Sequence, residues 1–171
     1  RVFDTSKAAD IALAQTFHDG RFVTADSFGD QLARSGRKLA VVHTGSAGSA
    51  HLVSPRARAN GHWTFSVHGV DHTQTPEAVI EVVSQFGPLP ERELPRHPDI
   101  EYAARVMIER VLPSAPDAAL VWFSEPDTTF HYRDIGHADS LMVLRAADAA
   151  FGRILDWVEA RPDAERWAVI A

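Results

Sequence analysis

Residues 118–123, AALVWF, form an unbroken apolar run that drives straight into a turn at Ser124, Glu125 and Pro126. The run reads as a buried strand, and the turn behind it delivers Asp127 and, four residues later, His131. A carboxylate and an imidazole at that spacing face the same way if the turn is helical, so they can hold one metal ion between them. A bare Asp-x-x-x-His has a plainer reading as well, in which Asp127 caps the turn and His131 packs or faces solvent.

The rest of the chain reads as the frame that holds this edge. Residues 39–42 and 167–171 are two further apolar runs expected to be strands, and residues 63–67 alternate as a strand does. Between them lie helical patterns. Residues 3–16 carry Ala8, Ile11, Ala12 and Leu13; residues 27–35 put Phe28 and Leu32 on one face, with Thr24 and Asp26 as capping residues and Gly36 placed to end the helix. Residues 76–86 carry Val79, Ile80 and Val83, and residues 99–112 run on helical spacing until Pro113. The longest helix is expected over residues 138–160, with Leu141, Leu144, Ala147, Phe151, Leu155 and Val158 as its buried stripe. Residues 87–98 are proline-rich and charged, which suits an extended surface loop.

Helices alternating with short apolar strands predict an α/β fold with a mostly parallel sheet and helices on both faces, built as one domain over residues 1–171. In such a sheet, ligands sit beyond the carboxyl ends of the strands. His43 and the small-residue loop 45–50 therefore draw notice beside the 125–131 turn. The loop reads as a strand-to-helix turn; as a phosphate cradle it lacks the lysine and the spacing of a P-loop. His43 and His68 follow strands and read first as structural histidines, while His62, His72 and His97 lie in turn-rich stretches and read as exposed. Trp63, Trp122, Trp157 and Trp167 fall on apolar runs or stripes and read as core.

Composition narrows the chemistry. With no cysteine, disulfides and thiolate metal sites are excluded, leaving His, Asp and Glu as metal ligands. A formal charge of -6 with no block of Lys or Arg argues against a nucleic-acid duplex as partner. No apolar stretch is long enough for a membrane span. Compartment and oligomeric state have no signature in the sequence.

The stretch Glu125-Pro126-Asp127-Thr128-Thr129-Phe130-His131, followed by Gly136 and a long helix carrying Asp148, resembles the type I phosphodiesterase and nucleotide pyrophosphatase family of the alkaline phosphatase superfamily. In that family a buried strand ends in Glu-Pro-Asp-x-x-x-His. The resemblance covers most of the chain in element order, most specifically residues 120–170. It implies an alkaline-phosphatase-like core and two catalytic zinc ions, one of them held by Asp127 and His131; manganese also suits these donors. It further implies a small phosphate-ester or nucleotide substrate and two-step phosphoryl or nucleotidyl transfer.

The sequence also departs from that pattern. The family's earlier metal-binding Asp, its Thr or Ser nucleophile, its Asp-His-Gly ligand motif and a later zinc-binding His have no counterpart here, and His137 stands where a proline is common. The expectation is therefore an incomplete core, the central portion of a larger catalytic domain, with nucleophile and second metal site outside these residues. No catalytic residue is assigned within the chain. Sulfate-ester hydrolysis or phosphate transfer within the same superfamily, and a non-catalytic α/β binding module, are the alternatives.

Overall fold

Leu39–His43 form β1, and all five residues are buried. A strand with no exposed side chain on either face must be covered on both, which is the signature of a parallel sheet inside an α/β layer structure. The computed structural model describes residues 2–171 and bears this out. β1 pairs in parallel with β2, Trp63–Ser66, on one side and with β3, Ala118–Trp122, on the other. The sheet order is β2-β1-β3, so the chain crosses over β1 between its second and third strands.

Helices α1 (Ala8–Phe17) and α2 (Phe28–Arg34) precede the sheet. Helix α3 (Ala47–Val53) follows β1, α4 (Glu77–Phe86) and α5 (His97–Val106) follow β2, and α6 (Asp127–Phe130) and α7 (Ala138–Glu159) follow β3. One face of the sheet, Ala40, Val42, Phe65 and Val67, packs on Ala78, Val79 and Val82 of α4, Ala103 and Val106 of α5, and Ile154 of α7. On the other face His62 ties the sheet to α2. Its Nδ1 accepts the Leu39 N–H at 3.2 Å, which leaves Nε2 to donate to the Gly29 carbonyl at 2.8 Å.

α2 is held by its first turn. Ser27 and Asp30 make a reciprocal capping box, and Asp30 also takes hydrogen bonds from Arg56 and Asn60. The Arg56 guanidinium beside it holds the Asp30 carboxyl well below the usual carboxylate range. The cap is thus Ser27 rather than Thr24 or Asp26. Beyond the helix, the expected turn at 45–50 winds into α3, because Ser46 accepts the Ser49 N–H and starts a helix. Gly48 is required there: a Cβ would stand 2.5 Å from the Thr5 carbonyl oxygen. The close approach that this loop permits is therefore made by the chain's own backbone.

The two edges of the sheet differ. On β2, Thr73 and Thr75 hydroxyls bond to the Thr64 carbonyl at 2.7 and 2.8 Å, and the Thr64 N–H donates to Thr75 Oγ1 at 2.8 Å. These side chains substitute for a neighbouring strand. β3, expected to be a buried strand, has no such cover among the described residues: none of its residues is buried, and Trp122, expected in the core, is 38% exposed.

Three further expectations are corrected by the structure. Residues 167–171 are not a strand: a 3₁₀ turn, Ala164–Arg166, leads into an unpaired segment in which Trp167 packs on Trp157 while residues 168–171 are exposed. An apolar run makes a strand only where a neighbour accepts its backbone, and none does here. The helix over 99–112 starts at His97 and gives way to a π-helical turn, Met107–Val111, and a 3₁₀ turn, Leu112–Ser114. In α7 the buried residues are Ser140, Val143, Ala150, Ile154 and Val158, so Leu141 and Leu144 lie outside. Small side chains win that face because α7 lies against Ile100 and Ala104 of α5, where a close approach favours them.

Candidate functional site

A β2-β1-β3 order places a crevice outside the carboxyl ends of β1 and β3, where successive connections leave in opposite directions. The chain spends its polar residues there. The Thr44 N–H donates to the Trp122 carbonyl at 3.0 Å, the Ser124 N–H donates to Thr44 Oγ1 at 2.8 Å, and Ser124 Oγ donates to the Thr44 carbonyl at 2.5 Å. These bonds lock the exit of β3 to the exit of β1. Thr44 is therefore a buried structural hydroxyl, spent on this junction.

From that junction the chain turns into α6. Four residues are too few to hold a helix by propensity alone. The turn is held instead by the residues before it: Thr128 N–H and Oγ1 both donate to the Ser124 carbonyl, at 3.1 and 3.2 Å, and the Thr129 N–H donates to Glu125 Oε2 at 3.0 Å. Glu125 is only 5% exposed. It works as a buried cap beneath the turn.

The consequence appears on the outer face of α6. Asp127 Oδ2 lies 3.5 Å from His131 Nε2, and both side chains are largely exposed. Two ligands of a tetrahedral zinc ion at about 2.0 to 2.2 Å stand about 3.3 to 3.6 Å apart. The donor chemistry and the spacing therefore fit one edge of a zinc coordination shell. Among the described residues, no third His, Asp or Glu joins them in a metal-sized group.

The other histidines are distributed differently from the sequence expectation. His62 is buried, at 4% exposure, in the α2 contact described above. His43 is fully buried at the end of β1, and its Nδ1 accepts the Gly45 N–H at 3.2 Å. Burial pushes its imidazole down to about 4. His68 donates from Nε2 to the Thr44 carbonyl at 2.9 Å, and burial, aided by the charges of Arg92 and Arg96, pushes it down to about 3. Both rings are neutral at ordinary pH. His72 stacks edge-on to His68, with ring centroids 5.6 Å apart.

A second polar group at this edge has no counterpart in the sequence reading. Asp99, in the first turn of α5, is 2% exposed, and its Oδ2 has no hydrogen-bond partner among the described residues. It lies 3.9 Å from both His68 Nε2 and Arg96 Nη1. Burial pushes its carboxyl up to about 6, and the charge of Glu125 adds to the effect against the opposing pull of Arg96. In sequence Asp99 reads as an ordinary acidic residue of a helix start. The one available signal is its place directly after the proline-rich, charged loop 87–98.

Among the described residues no helix is long and apolar enough to cross a membrane. No family model matches the chain, and no curated protein and no solved structure matches it.

Proposed function

We propose that this chain belongs to a metal-dependent phosphoric-ester hydrolase of the phosphodiesterase or nucleotide pyrophosphatase type, with Asp127 and His131 as ligands of one of two zinc ions. The observation that supports this reading is the pair itself: a carboxylate oxygen and an imidazole nitrogen 3.5 Å apart on a built turn beyond the sheet's carboxyl edge. Zinc held there would supply positive charge against phosphoryl oxygens. The protein's part is to present the two ligands together on the exposed face of the turn. Ser124 and Glu125 do this by fixing the turn from beneath, so that neither ligand spends its own donor atoms on holding the backbone.

In this reading the hydroxyl nucleophile and the remaining ligands come from residues that this chain does not supply. A protein that combines them with this chain is expected to cleave a nitrophenyl phosphodiester, to lose the activity to a chelator, and to lose most of it on His131→Ala. Full activity after His131→Ala contradicts the reading. The rival is a non-catalytic α/β binding module. Its supporting observation is that Asp127 and His131, both mostly exposed, are close enough to pair with each other when His131 is protonated.

A further inference from the structure

His68 stands where the exits of the three strands meet. β2 ends at Ser66, beside His43 of β1, and the chain turns at once: the His68 N–H donates to Ser66 Oγ at 3.1 Å, the Gly69 N–H donates to the Ser66 carbonyl at 3.2 Å, and Gly69 takes a φ of 93° that favours glycine. The imidazole thereby reaches across to β1, where its Nε2 lies 2.9 Å from the Thr44 carbonyl oxygen. A carbonyl only accepts, so Nε2 carries the ring proton and donates it. The side chain is 2% exposed, walled in by His72 edge-on and by Arg96 and Asp99 at the start of α5.

The Thr44 carbonyl takes a second donor. Ser124 Oγ reaches it at 2.5 Å while the Ser124 N–H goes to Thr44 Oγ1 at 2.8 Å, so a single peptide oxygen joins the exit of β2 to that of β3. From Ser124 the path to the candidate ligands is continuous. The Ser124 carbonyl accepts from the Thr128 N–H and Oγ1, and the Asp127 carbonyl accepts the His131 N–H at 3.2 Å. Among the described residues no third His, Asp or Glu joins the pair in a metal-sized group, so His68 lies behind the turn and not in a coordination shell.

We propose that His68 is a positioning residue for Asp127 and His131: by holding the Thr44 carbonyl it fixes how β3 leaves the sheet, and so the turn that presents the two side chains. As a statement about metal binding this rests on the reading of the pair as ligands; as a statement about the turn it needs no ion. Loss of the His68 donor removes one of two bonds on the Thr44 oxygen and leaves that oxygen still paired with Ser124. The Ser124 junction gains freedom, and the effect is a local opening of α6.

The test is amide exchange followed by NMR on the metal-free chain, with zinc titration alongside. In His68→Leu the Thr128 and Thr129 amides are expected to exchange about three to ten times faster relative to the Val41 and Val42 amides of β1, and zinc is expected to bind more weakly by a similar factor. His68→Gln, which keeps an N–H at the reach of Nε2, restores most of both. A merely structural role would speed all four amides equally, and that outcome overturns the proposal. So does zinc affinity unchanged in a folded His68→Leu but lost in the Asp127→Asn, His131→Gln double variant. Zinc binding that survives the double variant removes the pair as ligands, and the exchange result alone then decides for His68. In the unaltered chain a slowly exchanging His68 Nε2–H is expected, and its absence overturns the proposal even where the Leu variant does not fold.

Discussion

Glu125 Oε2 accepts the Thr129 N–H at 3.0 Å, and this single contact joins a buried carboxylate to the turn that presents Asp127 and His131 on its opposite side. Glu125→Gln keeps an acceptor oxygen at the same reach; Glu125→Ala removes it and leaves a buried N–H unpaired, a cost of about 1 to 3 kcal/mol. The expected outcome is that Glu125→Ala weakens zinc binding and Glu125→Gln restores most of it, read by titration with zinc and by the visible spectrum of the cobalt-substituted protein. A Gln variant as weak as the Ala variant would remove Glu125 from the positioning of the pair.

The Ser27, Asp30 and Arg56 group should dominate the stability of the N-terminal half. Asp30 is 8% exposed and takes bonds from Ser27, Arg56 and Asn60. Removing one member of a buried pair leaves the other charge uncompensated, so Asp30→Ala is expected to cost about 3 to 5 kcal/mol. Ser27→Ala, which removes only the capping hydroxyl, is expected to cost about 1 kcal/mol. Urea unfolding with both variants checks the ranking, and a reversed order would contradict it.

Acid should destabilise the protein through its histidines. His43 and His68 have their pKa values lowered to about 4 and about 3, so in the unfolded chain they take up protons first as pH falls below about 6.5. Stability present above that pH is lost as pH falls toward the folded values, by about 3 and about 5 kcal/mol respectively. Asp99 works in the other direction. Its raised value, about 6, contributes stability below about 4 that is lost as pH rises through 6, about 3 kcal/mol in all. Two histidine slopes outweigh one opposing carboxylate slope, so net stability should fall from pH 6 to pH 4. Asp99→Asn should steepen that fall and raise stability at pH 7. Denaturant midpoints across pH 4 to 8 check both signs, and a shallower fall in the variant contradicts the assignment to Asp99.

The sequence carried the strands that are continuous apolar runs with partners, and failed where pairing decides. Leu39–His43 and Ala118–Trp122 are strands because each lies beside the other, whereas residues 167–171, equally apolar, lack a neighbour among the described residues and stay unpaired. Hydrophobicity alone misplaced the start of the α7 stripe, although Val158 is buried as expected and Ala147 packs on the α5 contact. Leu141 and Leu144 are the larger residues, but the approach of α5 selects Val143 and Ala150. At the site, the four-residue spacing was enough to bring Asp127 and His131 together, since one helical turn fixes that geometry. The Arg96, Asp99 and His68 group was not legible, because it joins the end of β2 to the start of α5 across more than a complete helix of intervening chain.

Zinc titration of the 171-residue chain tests the metal assignment most directly. A single weak site is expected, weaker than the three-ligand zinc sites of hydrolases because two protein ligands are present, and it should disappear in both Asp127→Asn and His131→Gln. Zinc binding of unchanged stoichiometry and affinity in the double variant would contradict the assignment of Asp127 and His131 as metal ligands.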